Sequence, residues 1–548
     1  MKSLRVVVNS LLGGLFFSFL LAVLVADLNI NQPFSLELLG QLTLNLAPVY
    51  GLILAVICAL GFFFWKFLFG RGDRIAIISP SFLSLGFSLV ILLSLAIFGT
   101  NERYFSSFFS PEIQTRLLNQ RFALLALAVW GIVCFLGFRR TRKALFVWSY
   151  FIVLIGGLAF VLLQRAQFPL PREPIEKLPL FGKRTERRIT LVGLEGMSFD
   201  LLVPLLSRGK LPNFGWLMDN GYSSKLVSFS PTGPSILRAS FATGKLPAKH
   251  RIISDHRYRL WKMKKELEVA PRFILFSQLT RFGFLKISPF RPEIRTKDFW
   301  RILDGNRISS LDRGGSLPRE GTAASSRGEK LADDLLGETA LPGDSLSTLA
   351  RNALLRDVMA EESAHAERSE RQPQVFHLWL NGLNSVQVYF YKYSFPEQYG
   401  DIALEEIERY GPVIERYYEH YDELIGKYLT GLKDDEILVV YSSLGVEPLP
   451  LWKRFLERLL GDPGLSAYHE LAPAGVVFFY GKGVRKGRQE EPIRIVDITP
   501  TLLYYLGLPV GRDMDGIVRS SVFNDDFAAE NPIIYIASYE EFEIRPPL

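Results

Sequence analysis

An acidic residue closes the run Gly193-Leu194-Glu195-Gly196. A carboxylate where a buried strand stops is well placed to hold a metal ion. Beside a helix N-terminus the same charge is simply favoured by the helix dipole. Two hydroxyls follow in Pro231-Thr232-Gly233-Pro234-Ser235, a Pro/Gly-rich turn ahead of Ala239-Ser240-Phe241-Ala242-Thr243-Gly244-Lys245-Leu246-Pro247-Ala248-Lys249-His250. Thr232 or Ser235 can serve there as a nucleophile, and either can equally cap the helix. A third segment, Val496-Asp497-Ile498-Thr499-Pro500-Thr501-Leu502-Leu503, leads to Leu506-Gly507-Leu508-Pro509 and Asp513-Met514-Asp515-Gly516. It reads as a capped helix and a turn.

These groups need a scaffold. Arg188–Leu194, Val375–Leu380, Ile437–Tyr441 and Gly475–Tyr480 are short apolar runs bounded by polar residues, the pattern of buried strands. Helical patterns lie between them, at Phe199–Leu206, Leu346–Glu362 and Ile402–Leu429. Strands alternating with helices imply an α/β domain over residues 188–548, with a mostly parallel central sheet covered on both faces. Sites in such sheets form at the C-terminal ends of strands. Two stretches break the pattern. Residues 251–303 are basic and aromatic, and are expected either to cap the domain or to rest on anionic headgroups. Residues 304–344 are polar and Gly/Ser-rich, and are expected to form a flexible insert.

The first 164 residues are of another kind. A bilayer-crossing helix needs about 20 mostly apolar residues. Val6–Ala26, Leu46–Phe69, Ile75–Phe98, Phe122–Phe138 and Ala144–Leu163 qualify, which gives a five-span region. Lys2, Arg5, Lys66, Arg71, Arg74, Arg139, Arg140, Arg142 and Lys143 fall on one side, with Arg103, Arg116 and Arg121 as exceptions. The bias places the N-terminus in the cytoplasm and the large C-terminal domain outside it, in a periplasm or at the cell surface. The first span has the basic start of a signal peptide, but Leu24 spoils the cleavage site, so it is expected to remain. Residues 165–187 are a linker, where Pro169, Pro171, Pro174 and Pro179 oppose a helix.

The formal net charge of +7 suits nucleic acid or an anionic membrane surface. Many of the basic residues flank apolar segments, which favours the membrane lipid bilayer as partner and no nucleic acid. Both cysteines, Cys58 and Cys134, lie inside apolar runs, which excludes a disulfide framework or Cys-based zinc site in the soluble part.

Taken together, in this order and spacing, the three segments resemble the alkaline phosphatase superfamily, in particular its type I phosphodiesterase/nucleotide pyrophosphatase branch. The resemblance runs from about Arg188 to Val522, interrupted between Gly305 and Asp344. A multi-span anchor ahead of such a domain is also similar to the lipid-modifying phosphoethanolamine and glycerophosphate transferases. The resemblance implies phosphoryl or phosphodiester transfer at two metal ions, zinc or manganese if the protein is active. It puts a first metal ligand at Glu195, the nucleophile at Thr232 with Ser235 as alternative, and a last ligand at His469.

Elsewhere the chain departs from the family pattern. Where an Asp and a His are expected after the second strand stand Asn384 and Val388, and where another Asp and His are expected stand Ser443 and Leu444. Two negative charges and two imidazoles are thus missing, and a dication is offered too little to leave its hydration shell. Without metal, the Thr232 hydroxyl is a poor attacker. His250, His256, His377 and His420 are available to rebuild a site, although His377 sits within a strand and His420 in a tyrosine-rich helix. The expectation is therefore a pseudoenzyme without a cofactor. It would bind a partner membrane protein or a phosphorylated headgroup ligand. The alternative is an active phosphodiesterase or phosphotransferase with a reduced site.

Overall fold

The computed structural model describes residues 2–69, 80–141, 143–171, 174–175, 186–314, 326–336, 344–400, 402–470, 472–488 and 491–542. Its chain forms two compact units, one of Met1–Arg172 with Pro247–Glu293, the other of Glu173–Leu246 with Ile294–Leu548. This division differs from the boundaries expected from sequence, because most of the basic, aromatic stretch falls in the first unit.

In the first unit the apolar runs form α1 (Lys2–Leu28), α2 (Leu36–Leu46), α3 (Leu52–Phe69), α4 (Pro80–Tyr104), α5 (Pro111–Thr141) and α6 (Leu145–Ala166). Among the described residues, five segments are long and apolar enough to cross a membrane: Val6–Leu28, Leu36–Phe64, Leu83–Tyr104, Pro111–Thr141 and Leu145–Ala166. They suit a membrane anchor and extend several of the expected spans. Helix α1 is the most enclosed. At Gly14 it lies so close to the Gly51 carbonyl that a side chain could not fit, the small-residue approach that lets helices pack in lipid. Outward faces carry exposed Leu52, Ile57, Phe64, Trp148 and Ile155. Arg71, Arg74, Arg142 and Pro179 lie outside the described residues.

Two asparagines tie helix ends to the returning segment. Asn29 donates to the Val269 carbonyl and accepts from the amides of Glu268 and Val269. Asn101 donates to the Arg272 carbonyl and accepts from the Arg272 amide. Lys262 donates its amide to Asn45, and Tyr50 donates to the Ile274 carbonyl. The returning segment carries an antiparallel hairpin of His256–Leu260 with Leu285–Pro289.

The second unit is the α/β domain. Its strands are β1 (Arg188–Leu194), β2 (Tyr222–Val227), β3 (Ser310–Gly314), β4 (Val375–Leu380), β5 (Glu436–Tyr441), β6 (Gly475–Gly481), β7 (Gly487–Arg488) and β8 (Ile493–Arg494). The order across the sheet is β7-β2-β6-β5-β1-β4-β3, with β8 also on β2. Strands β5, β1, β4 and β3 run parallel, while β6 is antiparallel to both neighbours. Alternation splits the core between two faces. Val192, Leu194, Phe376, Leu378 and Val440 look one way; Ile189, Leu191, Val375, Val439 and Tyr441 look the other.

The first face is covered by α7 (Phe199–Ser207), α8 (Pro212–Asn220), α10 (Ser345–Arg371), α11 (Gly382–Ser394) and α12 (Pro412–Thr430). Opposite it lie α9 (Pro234–Thr243) and α14 (Ile498–Tyr505). Between α12 and α14 in sequence, α13 (Leu451–Leu460) buries none of its residues.

Two expectations need correction. The stretch 304–344 is not wholly a flexible insert. Ser310–Gly314 is the sheet's edge strand and Ser326–Leu336 a helix with Ala332 in the core; residues 315–325 and 337–343 lie outside the described residues. An edge strand needs only one paired neighbour and one buried side chain, here Leu311, so low apolar content hid it. The linker reading fails at its ends. Arg165 and Ala166 finish α6, and Pro174–Ile175 pairs with Glu541–Phe542. Residues 176–185 lie outside the described residues.

Candidate functional site

Glu195 follows β1 directly and is buried. Its Oε2 accepts from Ser443 Oγ at 2.9 Å and from Trp379 Nε1 at 3.2 Å. Strand register explains the arrangement. Gly193 lies between Trp379 on β4 and Tyr441 on β5, and all three face the same side of the sheet. A Cβ at Gly193 would sit 2.9 Å from the Tyr441 ring and against Trp379, so only glycine leaves the space both rings fill. Burial pushes the Glu195 carboxyl up, against hydrogen bonds from Ser443 and Trp379 that pull it down.

Ser442 braces the turn after β1. Its Oγ accepts from the amides of Gly196 and Met197, each at 3.1 Å, and donates to the Leu444 carbonyl at 2.9 Å. Thr232 sits just ahead of α9, half-buried, and its Oγ1 donates to the His469 carbonyl at 3.4 Å. Ser235 lies in the first turn of α9 and is half-buried. The imidazole Nδ1 of His469 meets the Gly445 carbonyl at 3.2 Å. A carbonyl only accepts, so Nδ1 carries the hydrogen. Burial lowers the pKa of this ring.

The positions that depart from the family pattern gather at the same strand ends. Asn384, in the first turn of α11, backs onto Gly196, and its Oδ1 is buried without a hydrogen-bond partner among the described residues. Ser198 Oγ is in the same condition, beside Gly445. Val388 offers only its backbone, whose carbonyl accepts from Ser466. Leu444 is buried and bridges to Ala474. Sequence reasoning singled out Glu195 and Ser443 but missed Trp379, Ser442 and Ser198. The alternation of Val375, His377 and Trp379 on one face of β4 was the available signal for Trp379.

A dinuclear metal centre does not fit these residues. One Glu195 oxygen is already engaged by two donors, and Asn384, Val388, Ser443 and Leu444 bring no strong ligand. Among the described residues no three His, Cys, Asp or Glu side chains are grouped to hold a metal ion. Two of the other histidines are used elsewhere in the α/β domain. His377 bridges Asp312 Oδ1 at 2.8 Å and the Tyr441 hydroxyl at 2.9 Å. His420 is buried in α12, where burial lowers its pKa to about 4. His250 and His256 belong to the helical unit.

The profile of the family described as Type I phosphodiesterase / nucleotide pyrophosphatase matches residues 189–499. A search of curated proteins finds no match. Among solved structures, the chain is similar to the wild-type alkaline phosphatase PafA at 11% identity and a TM-score of 0.40, over 62% of this chain and 100% of that one. It is also similar to the phosphonate monoester hydrolase SpPMH from Silicibacter pomeroyi, at 14% identity and 0.36, over 62% and 76%. An inactive murine ectonucleotide pyrophosphatase/phosphodiesterase 5 in complex with AMP is similar at 11% and 0.34, over 59% and 96%.

Proposed function

The chain belongs to the type I phosphodiesterase / nucleotide pyrophosphatase family, and from that premise we propose that it is a membrane-anchored pseudoenzyme whose α/β domain binds a ligand or partner without cleaving it. The observation that carries this reading is the pair of hydrogen bonds on Glu195. The hydroxyl of Ser443 spends a donor on the carboxylate at a position where the family pattern expects a metal-binding acid. Without a Lewis acid, Thr232 is a neutral alcohol of high pKa. The buried oxygens Asn384 Oδ1 and Ser198 Oγ leave hydrogen-bonding capacity for a polar ligand. A phosphorylated headgroup that also carries a hydroxyl or ammonium, or a polar segment of a partner membrane protein, brings a donor for Asn384 Oδ1 and an acceptor for Ser198 Oγ.

The test is the metal content of the full chain, purified in detergent, together with hydrolysis of an aryl phosphodiester with added zinc or manganese. The expected result is substoichiometric metal and no rate above a buffer blank. Stoichiometric zinc or manganese, or a rate abolished by Thr232→Ala, would overturn the reading in favour of an active phosphodiesterase.

In the same reading the N-terminus is cytoplasmic and the α/β domain lies outside. Arg139, Arg140 and Lys143 cluster at the junction of α5 and α6, while Arg116 and Arg121 are neutralised by Glu112 and Glu102. Lys and Arg gathered at that junction are what the cytoplasmic side of a span carries. A cysteine in place of exposed Ser369 should react with an impermeant thiol reagent added to intact cells; protection until lysis would reverse the orientation.

A further inference from the structure

Helix α13 turns an apolar face to the outside. Leu451, Phe455 and Leu459 recur every fourth residue with Trp452 beside them, and their exposures are 79%, 66%, 56% and 59%. They form one stripe about 100° wide. Arg454 and Arg458 border it on one side, while Lys453 and Glu457 lie on the opposite face. An apolar stripe edged with arginine, carrying a tryptophan, is the composition of a helix that lies in a membrane interface. The partner that complements it is a bilayer with anionic headgroups, and this chain carries helices suited to one.

The helix is firmly tied to the candidate site. The chain leaves the site at Gly445 and returns at His469. Between them Glu447–Pro448 pairs with Ala467–Tyr468, and the Leu449 amide donates to Ser466. Lys453 forms an ion pair with Glu470 and stands 3.9 Å over the Tyr468 ring. Arg454 stacks 3.9 Å from the Tyr399 ring. At the base of the excursion, His469 meets the Gly445 carbonyl.

We propose that α13 is an interfacial helix: Leu451, Trp452, Phe455 and Leu459 enter the headgroup–acyl boundary of an anionic bilayer, and the exposed Arg458 faces its phosphates. The excursion that carries His469 is thereby held at the lipid surface. This assignment rests on the membrane anchor and not on whether the domain is catalytic.

The experiment uses the unsubstituted full chain in vesicles of phosphatidylcholine and phosphatidylglycerol that contain a photoreactive phospholipid. Mass spectrometry then locates the adducts. Adducts on the apolar helices α3 and α6 show that the anchor is inserted. The expected result is additional adducts on Leu451–Leu460, falling about fivefold or more in a Phe455→Asp, Leu459→Asp variant and in vesicles without phosphatidylglycerol. Adducts on α3 and α6 with none on Leu451–Leu460 would overturn the proposal while leaving the anchor intact. A crosslink between the α13 helices of two copies, without lipid adducts, would assign the face to self-association and also overturn it. Adducts on Leu451–Leu460 that persist unchanged in the double variant would do the same, since the apolar stripe would not be what meets the lipid.

Discussion

The hydroxyl of Ser443 donates to the carboxylate of Glu195 at 2.9 Å, joining the end of β5 to the end of β1 in a buried place. Burial raises the Glu195 pKa from its ordinary value of 4.5. An acid with a raised folded-state pKa contributes stability that is complete below the unfolded value and is lost as pH rises through the folded value. A tenfold weakening of an acid on folding corresponds to about 1.4 kcal/mol. Glu195→Gln should therefore gain stability relative to the parent as pH rises above 4.5, with little difference below it. Thermal unfolding in detergent across that range checks this. A constant offset at every pH would show that the carboxyl does not titrate on folding.

Gly193→Ala tests the packing that orients this carboxylate. The added methyl meets the Trp379 and Tyr441 rings, both held by the sheet. Overpacking of this kind costs about 1–3 kcal/mol. The indole also turns away from Glu195, so the variant should lose stability and show altered tryptophan fluorescence. An unchanged melting temperature would mean that the strands yield more easily than their register implies.

A second buried acid organises the opposite face. Asp357 on α10 accepts from the hydroxyls of Tyr417 and Tyr421, at 2.8 and 2.7 Å, and from the Gly382 amide at the start of α11. Burial raises its pKa to about 6. Its contribution is complete below the ordinary value of 3.8 and is lost as pH rises through about 6. Asp357→Ala leaves two phenols and an amide unsatisfied, at about 1–3 kcal/mol for each group. Asp357→Asn keeps one acceptor and should be milder, with a flatter stability profile between pH 4 and 7. Equal losses in the two variants at neutral pH would refute the hydrogen-bond account.

The membrane helices and central strands were legible because uniform apolar runs and buried strands have strong periodic signatures. Arg188–Leu194 and Val375–Leu380 appear where the sequence put them. The edge strand Ser310–Gly314 was not legible, since backbone pairing to β4 carries it and Asp312 serves His377. Tyr222–Val227 escaped for a similar reason, because Ser223 and Ser224 break the apolar run although both are buried. At the site, sequence motifs named Glu195 and Ser443, but only three-dimensional register reveals that Trp379 reaches the same oxygen. The membership of Pro247–Glu293 in the helical unit was hidden altogether. It depends on single asparagines at helix ends, and composition carries no trace of them.

Arg165, in the last turn of α6, offers the sharpest test of the helical unit. It is buried, and its guanidinium donates to the carbonyls of Ala26, Asn29 and Gln32 at 2.8, 3.1 and 2.9 Å. Asp27 Oδ1 lies 3.9 Å away, and the Phe168 ring 4.7 Å. The Ala26 carbonyl is an orphan of the last turn of α1, and those of Asn29 and Gln32 belong to the turn that follows, so Arg165 holds the end of α1 and its exit turn from another helix. A planar fork can serve several carbonyls at once, whereas an ammonium on a flexible stem cannot hold the same positions. Arg165→Lys should therefore cost about 1–3 kcal/mol despite keeping the charge. Arg165→Leu should cost about 3–5 kcal/mol, because Asp27 is then left buried without a cation. Adding Asp27→Asn to Arg165→Leu should recover part of that loss, since it removes the stranded charge. Melting temperatures of the four proteins in one detergent decide the matter: if Arg165→Lys matches the parent, charge alone holds α6 to α1 and the carbonyl fork is incidental.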